Sequence, residues 1–197
     1  TEVRSYEFTN IANDTYVASD SQVSTVVGTI DTQPPNSITL DEFTAWDELI
    51  TLNSRVHTAL TTTYGSSGTL FAELDVDNSG SLESAEKDVL KTIIQSPAGG
   101  SLNEAQTTQV VDDMDRSSFG VIAFTDFSMW FAATTVNSNA QELLGDRYEG
   151  EDAASIFAAM DTDGNGVLEG AEMDQLAALL AAGMGGGTGG EGWAAPP

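Results

Sequence analysis

The 197-residue chain has no cysteine, a single histidine and only six Lys and Arg against 31 Asp and Glu. Without cysteine there are no disulfides and no thiol nucleophiles, although this absence names no compartment. The one histidine, His57, lies in a Thr-rich stretch with no paired acid and nucleophile, so Ser-His-Asp triads and zinc sites are excluded and an enzyme is not expected. A formal charge of −25 repels polyanions, which argues against nucleic acid and anionic membrane surfaces as partners. No apolar run approaches the roughly 18 residues of a transmembrane helix. Neither an initiator Met nor a signal peptide is in view, as a processed mature form would show. What is abundant is carboxylate, and it is not scattered.

In the window Asp75-Val76-Asp77-Asn78-Ser79-Gly80-Ser81-Leu82-Glu83-Ser84-Ala85-Glu86, oxygen-bearing side chains fall at positions 1, 3, 5, 9 and 12. Glycine stands at position 6 and an apolar residue at position 8. A hard cation that takes six to eight oxygens at roughly 2.3–2.6 Å requires the chain to wrap around it. Gly80 permits the positive φ of the sharp turn. The window resembles the calcium loop of an EF-hand. That resemblance implies that Asp75, Asp77 and Ser79 would turn their oxygens inward, Ser81 would offer its backbone carbonyl, Glu83 would act through water and Glu86 would close the site with both carboxylate oxygens. Carboxylates this close repel one another unless a cation sits among them. Asp161-Thr162-Asp163-Gly164-Asn165-Gly166-Val167-Leu168-Glu169-Gly170-Ala171-Glu172 fits the same template. By the same resemblance its ligands would be Asp161, Asp163, Asn165, the Val167 carbonyl, Glu169 and Glu172. On these two loops the sequence resembles the EF-hand family, and two bound calcium ions are expected.

The loops belong to an internal repeat. Five, four and one residues before each loop stand Leu70, Phe71 and Leu74, then Ile156, Phe157 and Met160. The same pattern precedes Asp31 (Val26, Val27, Ile30) and Asp115 (Val110, Val111, Met114). Position 8 is Ile38, Leu82, Ile122 and Leu168, the residues that would join loops through a short antiparallel ladder. Four helix-loop-helix hands follow, with loops at 31–42, 75–86, 115–126 and 161–172. The expected fold is all-α: four EF-hand units in two paired lobes, with short antiparallel ladders between paired loops.

The first and third loops are degenerate. Loop 31–42 keeps Asp31 and Glu42 but carries Pro34-Pro35 and lacks glycine at position 6. Loop 115–126 keeps Gly120 but has Arg116, Phe119, Ala123 and the shorter Asp126 at position 12. Both are expected to brace a partner loop without binding an ion. They share Phe at position 13 and Trp at position 16 (Phe43 and Trp46, Phe127 and Trp130). Hands 1 and 3 thus resemble each other, as do hands 2 and 4. Pairing of consecutive hands is expected: an arm over 1–17, a first lobe over 18–97, a second over 98–183 and a Gly-rich tail over 184–197. Gln95-Ser96-Pro97-Ala98-Gly99-Gly100 breaks the helix at the lobe boundary, and Ser101-Leu102-Asn103-Glu104 reads as a capping box. Asn13-Asp14-Thr15 matches a glycosylation sequon.

EF-hand proteins serve as sensors, buffers and structural subunits. Met is sparse here, at five residues, so the grooves would be lined by Val, Leu, Ile, Phe and Trp, which favours one fixed partner over many. The expectation is a structural or interaction subunit whose lobes are ordered by calcium. A dedicated protein partner would be held in apolar lobe grooves or by Trp193 in the tail. A calmodulin-like sensor that opens on binding and regulates a target is the alternative, and a passive buffer is a third. The composition leans towards an extracellular or luminal setting over a cytoplasmic one.

Overall fold

The computed structural model describes residues 19–33, 36–116, 119–148 and 152–183. The N-terminal arm, the sequon, Pro34-Pro35 and the tail with Trp193 lie outside the described residues. The elements, in order, are α1 (Asp20–Ile30), β1 (Ile38–Thr39), α2 (Leu40–Tyr64), α3 (Ser67–Leu74), β2 (Ser81–Leu82), α4 (Ser84–Gln95), a 3₁₀ turn (Pro97–Gly99), α5 (Glu104–Met114), β3 (Ile122–Ala123), α6 (Phe124–Arg147), α7 (Ala153–Met160), β4 (Val167–Leu168) and α8 (Ala171–Gly183). The fold is all-α and EF-hand-like, and its strands are two short antiparallel pairs.

The helix starts follow local chemistry. Asp152 Oδ1 accepts the Ser155 N–H at 2.9 Å and so caps α7, while Ser66 Oγ accepts the Thr69 N–H at 3.2 Å and caps α3. The capping box of α5 is centred two residues later than expected. Asn103 Oδ1 accepts the Gln106 N–H at 3.0 Å and Gln106 Oε1 accepts the Asn103 N–H at 3.2 Å. Asn103 and Gln106 complete the box, and Ser101 instead takes a left-handed φ of 56°.

The strand pairing corrects the expected lobes. Ile38 stands opposite Leu168 and Thr39 opposite Val167, so loop 31–42 is laddered to loop 161–172. Ser81 stands opposite Ala123 and Leu82 opposite Ile122, so loop 75–86 is laddered to loop 115–126. The first loop therefore pairs with the fourth and the second with the third. The chain divides accordingly into a contiguous unit over 44–141 and a unit built from 1–43 and 142–197. There is no boundary near residue 97. The segment there is bound into the contiguous unit, where Gly99 lies so close to α4 that a Cβ would sit 2.3 Å from the Ile93 carbonyl oxygen.

In the unit formed by both ends, Val26 and Ile30 of α1 are buried together with Ile38, Phe43, Ile156, Phe157, Met160, Leu168, Leu176 and Leu180. The Phe43 and Phe157 rings lie 6.0 Å apart. The contiguous unit buries one apolar cluster that includes Leu70, Phe71, Leu74, Leu82, Leu90, Ile94, Ile122, Phe127 and Trp130. All four position-8 residues are fully buried, as a ladder residue on the core face must be. Inside the contiguous unit, Trp46 Nε1 donates to Asn137 Oδ1 at 3.0 Å. The equivalent residues in the repeat, Trp130 and Asn53, are also buried. His57 is half-buried against Phe131, ring centroids 4.9 Å apart, and burial lowers its pKa. It serves as packing.

Because the chain has no cysteine of its own, the pairing can be read by crosslinking. The double variant Thr39→Cys/Val167→Cys places thiols on directly opposed residues, within disulfide reach. It should oxidise to an intrachain disulfide in the folded protein. Thr39→Cys/Ser81→Cys, the pair that consecutive hands would oppose, should stay reduced.

Candidate metal centres

Each intact loop starts where a helix ends. Asp75 caps the C-terminus of α3, its N–H donating to the Phe71 carbonyl at 2.8 Å, and Asp161 does the same for α7 through Phe157, also at 2.8 Å. The next backbone N–H groups then point back at that first acid. Asp75 accepts from the Ser79 N–H and the Gly80 N–H, both at 2.9 Å. Asp161 accepts from the Asn165 N–H at 3.1 Å and the Gly166 N–H at 2.9 Å. Gly80 at φ 81° and Gly166 at φ 87° make this reversal, a conformation costly for residues with a Cβ.

The position-12 glutamate closes each loop from the far side. Glu86 Oε1 accepts the Val76 N–H at 2.8 Å, and its Oε2 accepts the Glu83 N–H at 3.1 Å. Glu172 Oε1 accepts the Thr162 N–H at 2.7 Å and the Thr162 hydroxyl at 2.9 Å, and its Oε2 accepts the Glu169 N–H at 3.3 Å. Two groups of carboxylate oxygens result, Asp75 with Asp77 and Glu86, and Asp161 with Asp163 and Glu172. Within each group one oxygen per residue lies within 4.8 Å of the others, an arrangement that could hold a metal ion. One acid in each group is buried, Asp75 at 8% exposure and Glu172 at 5%. A buried carboxylate with acidic neighbours needs positive charge or strong donors.

The remaining expected residues are placed less uniformly. Ser79 Oγ donates to the Ser81 carbonyl at 2.9 Å, so both stand in the first loop but bond to each other. Glu83 is exposed at the N-terminus of α4, outside the first acidic group. In the second loop Asn165 Nδ2 bridges Asp163 at 3.2 Å and Glu169 at 3.4 Å, which ties Glu169 to the group. Val167 donates its N–H to Asn165 Oδ1 at 2.9 Å from within β4.

Some participants carry no motif signal. Thr162 bonds the closing glutamate with both its N–H and its hydroxyl, and Thr32 repeats this on Glu42 at 3.2 and 2.9 Å. A threonine at position 2 of both loops was visible in the repeat, but its role was not. Thr39 adds an N–H at 3.0 Å and a hydroxyl at 2.9 Å, so both oxygens of Glu42 are taken by protein donors. No acidic group of the kind found in the intact loops forms at loops 31–42 and 115–126 among the described residues.

The donors set the protonation behaviour. The Thr39 N–H holds the Glu42 carboxyl below its ordinary pKa of 4.5; burial, next in size, opposes it, and the Thr39 and Thr32 hydroxyls and the Thr32 N–H add to the lowering. For Glu172 burial pushes upward, but the combined bonds from Thr162, Glu169 and Asp163 outweigh it and the net shift is down.

A protein of Oryza sativa subsp. japonica named "Probable calcium-binding protein CML13" is 26% identical to this chain over 110 residues, 56% of this chain and 57% of that protein. The chain thus spans little more than half the length of that relative. No family model matches the chain, and no solved structure matches it.

A depressed carboxyl pKa in the folded state stabilises the fold above the ordinary value, and that contribution is lost as pH falls through the depressed one. In the metal-free protein, carboxyl-carbon NMR should therefore find Glu42 and Glu172 titrating below 4.5. The 31–42 and 161–172 loops should lose amide protection only at pH values under that midpoint. Glu42→Gln should flatten the acid limb for loop 31–42.

Proposed function

We propose that the chain is a calcium-binding EF-hand protein with four hands. Loops 75–86 and 161–172 each take one calcium ion, and loops 31–42 and 115–126 brace them. The observation that carries this reading is the pairing itself. Each acidic group lies in a loop laddered to a degenerate one, so each unit has one candidate ion site and one brace. The similarity to a protein whose name describes calcium binding agrees with it.

In the first site the ion would be held by Asp75, Asp77, Ser79, the Ser81 carbonyl and Glu86, with Glu83 through water. In the second, Asp161, Asp163, Asn165, the Val167 carbonyl, Glu169 and Glu172 would hold it. Calcium suits an all-oxygen donor set that must adapt to six to eight ligands, where magnesium demands a tighter octahedron. The ion would replace the donors that now bond the closing glutamates and relieve the repulsion among the acids. The work is binding, not catalysis, and the role we assign is a structural or interaction subunit. Calcium orders the two units, and an apolar surface or the Trp193 tail holds a dedicated protein partner. Among the described residues no helix is long and apolar enough to cross a membrane.

A calorimetric calcium titration with competing magnesium tests the reading. Two binding events are expected, and Glu86→Gln and Glu172→Gln should each weaken one of them by at least about tenfold, the cost of a lost bidentate charged ligand. Apolar-dye fluorescence should change little on calcium addition. A large gain in dye binding would move the assignment to a sensor that opens, and an absence of any binding would overturn it.

A further inference from the structure

We propose that Lys87 is a tethered cation for loop 115–126, holding that loop in its turn without a metal ion. The Lys87 ammonium donates to the Gly120 carbonyl at 2.8 Å and lies 3.8 Å from Asp115 Oδ2. The two side chains are only 16% and 11% exposed, so solvent screens the pair less than an ordinary surface salt bridge. In a chain with six Lys and Arg and a charge of −25, one of the few cations is spent on one degenerate loop.

The loop is poorly equipped to hold an ion of its own. Its position-5 residue, Phe119, is 84% exposed and offers no side-chain oxygen. Position 9 is Ala123, and Asp126 is a methylene shorter than the glutamate that closes the other three loops. Its first acid, Asp115, nevertheless sits where a metal-facing acid would, capping the end of α5 through the Val111 carbonyl at 3.1 Å. The ammonium supplies positive charge at that acid and a donor to the turn glycine. Across the ladder, the Gly80 carbonyl is met by the Phe124 backbone N–H at 3.1 Å; the Gly120 carbonyl is met by the lysine.

Lys87 follows Glu86 directly in the first turn of α4. A single turn therefore carries the carboxylate that closes loop 75–86 and the ammonium that holds its ladder partner. On the calcium reading above, from which this second step follows, ion binding at Glu86 and order in loop 115–126 are coupled. The tether itself does not depend on that reading.

Amide hydrogen exchange on the full chain tests the tether in the absence of metal. Lys87→Met should speed exchange at residues 120–123 by about tenfold, the scale of a lost charged hydrogen bond, and Lys87→Arg should keep most of the protection. Lys91→Met, one turn further along α4, should leave these amides unchanged. In an Asp115→Asn background the effect of Lys87→Met should shrink. Unchanged exchange in Lys87→Met, or an equal effect from Lys91→Met, overturns the tether. Calcium titration then tests the coupling: Lys87→Met should weaken binding at loop 75–86 several-fold, although it removes a nearby positive charge. Tighter binding with unaltered exchange would mean the lysine acts only through its charge. If the native chain binds no calcium while exchange still responds to Lys87→Met, the tether stands and the calcium assignment fails.

Discussion

A carboxylate at the twelfth position that reaches back to the second backbone N–H of its own loop is the constraint on which this structure rests. It recurs three times: Glu42 on Thr32 at 3.2 Å, Glu86 on Val76 at 2.8 Å and Glu172 on Thr162 at 2.7 Å. In each case the other oxygen takes the N–H of the residue three before it, at Thr39, Glu83 and Glu169. One side chain thus fixes both the entry of the turn and the start of the next helix, satisfying N–H groups that the helix cannot satisfy itself. The ladder residue four positions earlier is delivered to the core by the same closure, and so are the acids of the first half-loop.

The two degenerate loops meet this constraint by different chemistry. Loop 31–42 keeps its glutamate and surrounds it with hydroxyls and N–H groups from Thr32 and Thr39. Neutral donors there do what a cation would do for a carboxylate, and the lowered pKa of Glu42 is their signature. Loop 115–126 carries Asp126 at its twelfth position, and Lys87 of α4 lies at its first acid.

The local structure was largely legible in the sequence. The period of the repeat located the loops, and Ile38, Leu82, Ile122 and Leu168 are buried and laddered, as position 8 demands. The acids at positions 1, 3 and 12 of the intact loops do converge. Glu83 does not join them, because its place at the head of α4 turns it to solvent. The partners of the ladders were not legible. Each strand is two residues long with one buried member, so any loop could pair with any other on local grounds. The contacts that accompany the pairing are long-range, such as Trp46 bonded to Asn137, 91 residues away, and local patterns do not carry them. Lys87 was equally silent, since a lone lysine at a helix start matches no spacing rule.

The ladder from Ile38 to Leu168 gives the molecule an order of assembly. During synthesis loop 31–42 has no partner until loop 161–172 has been made, while the segment over 44–141 is a continuous stretch able to collapse before then. Synthesis therefore leaves α1 and β1 waiting for β4, with the Val26, Ile30 and Ile38 side chains in water. A nascent chain stalled between residue 141 and β4 would carry a complete 44–141 segment while α1 and β1 still lacked their partner.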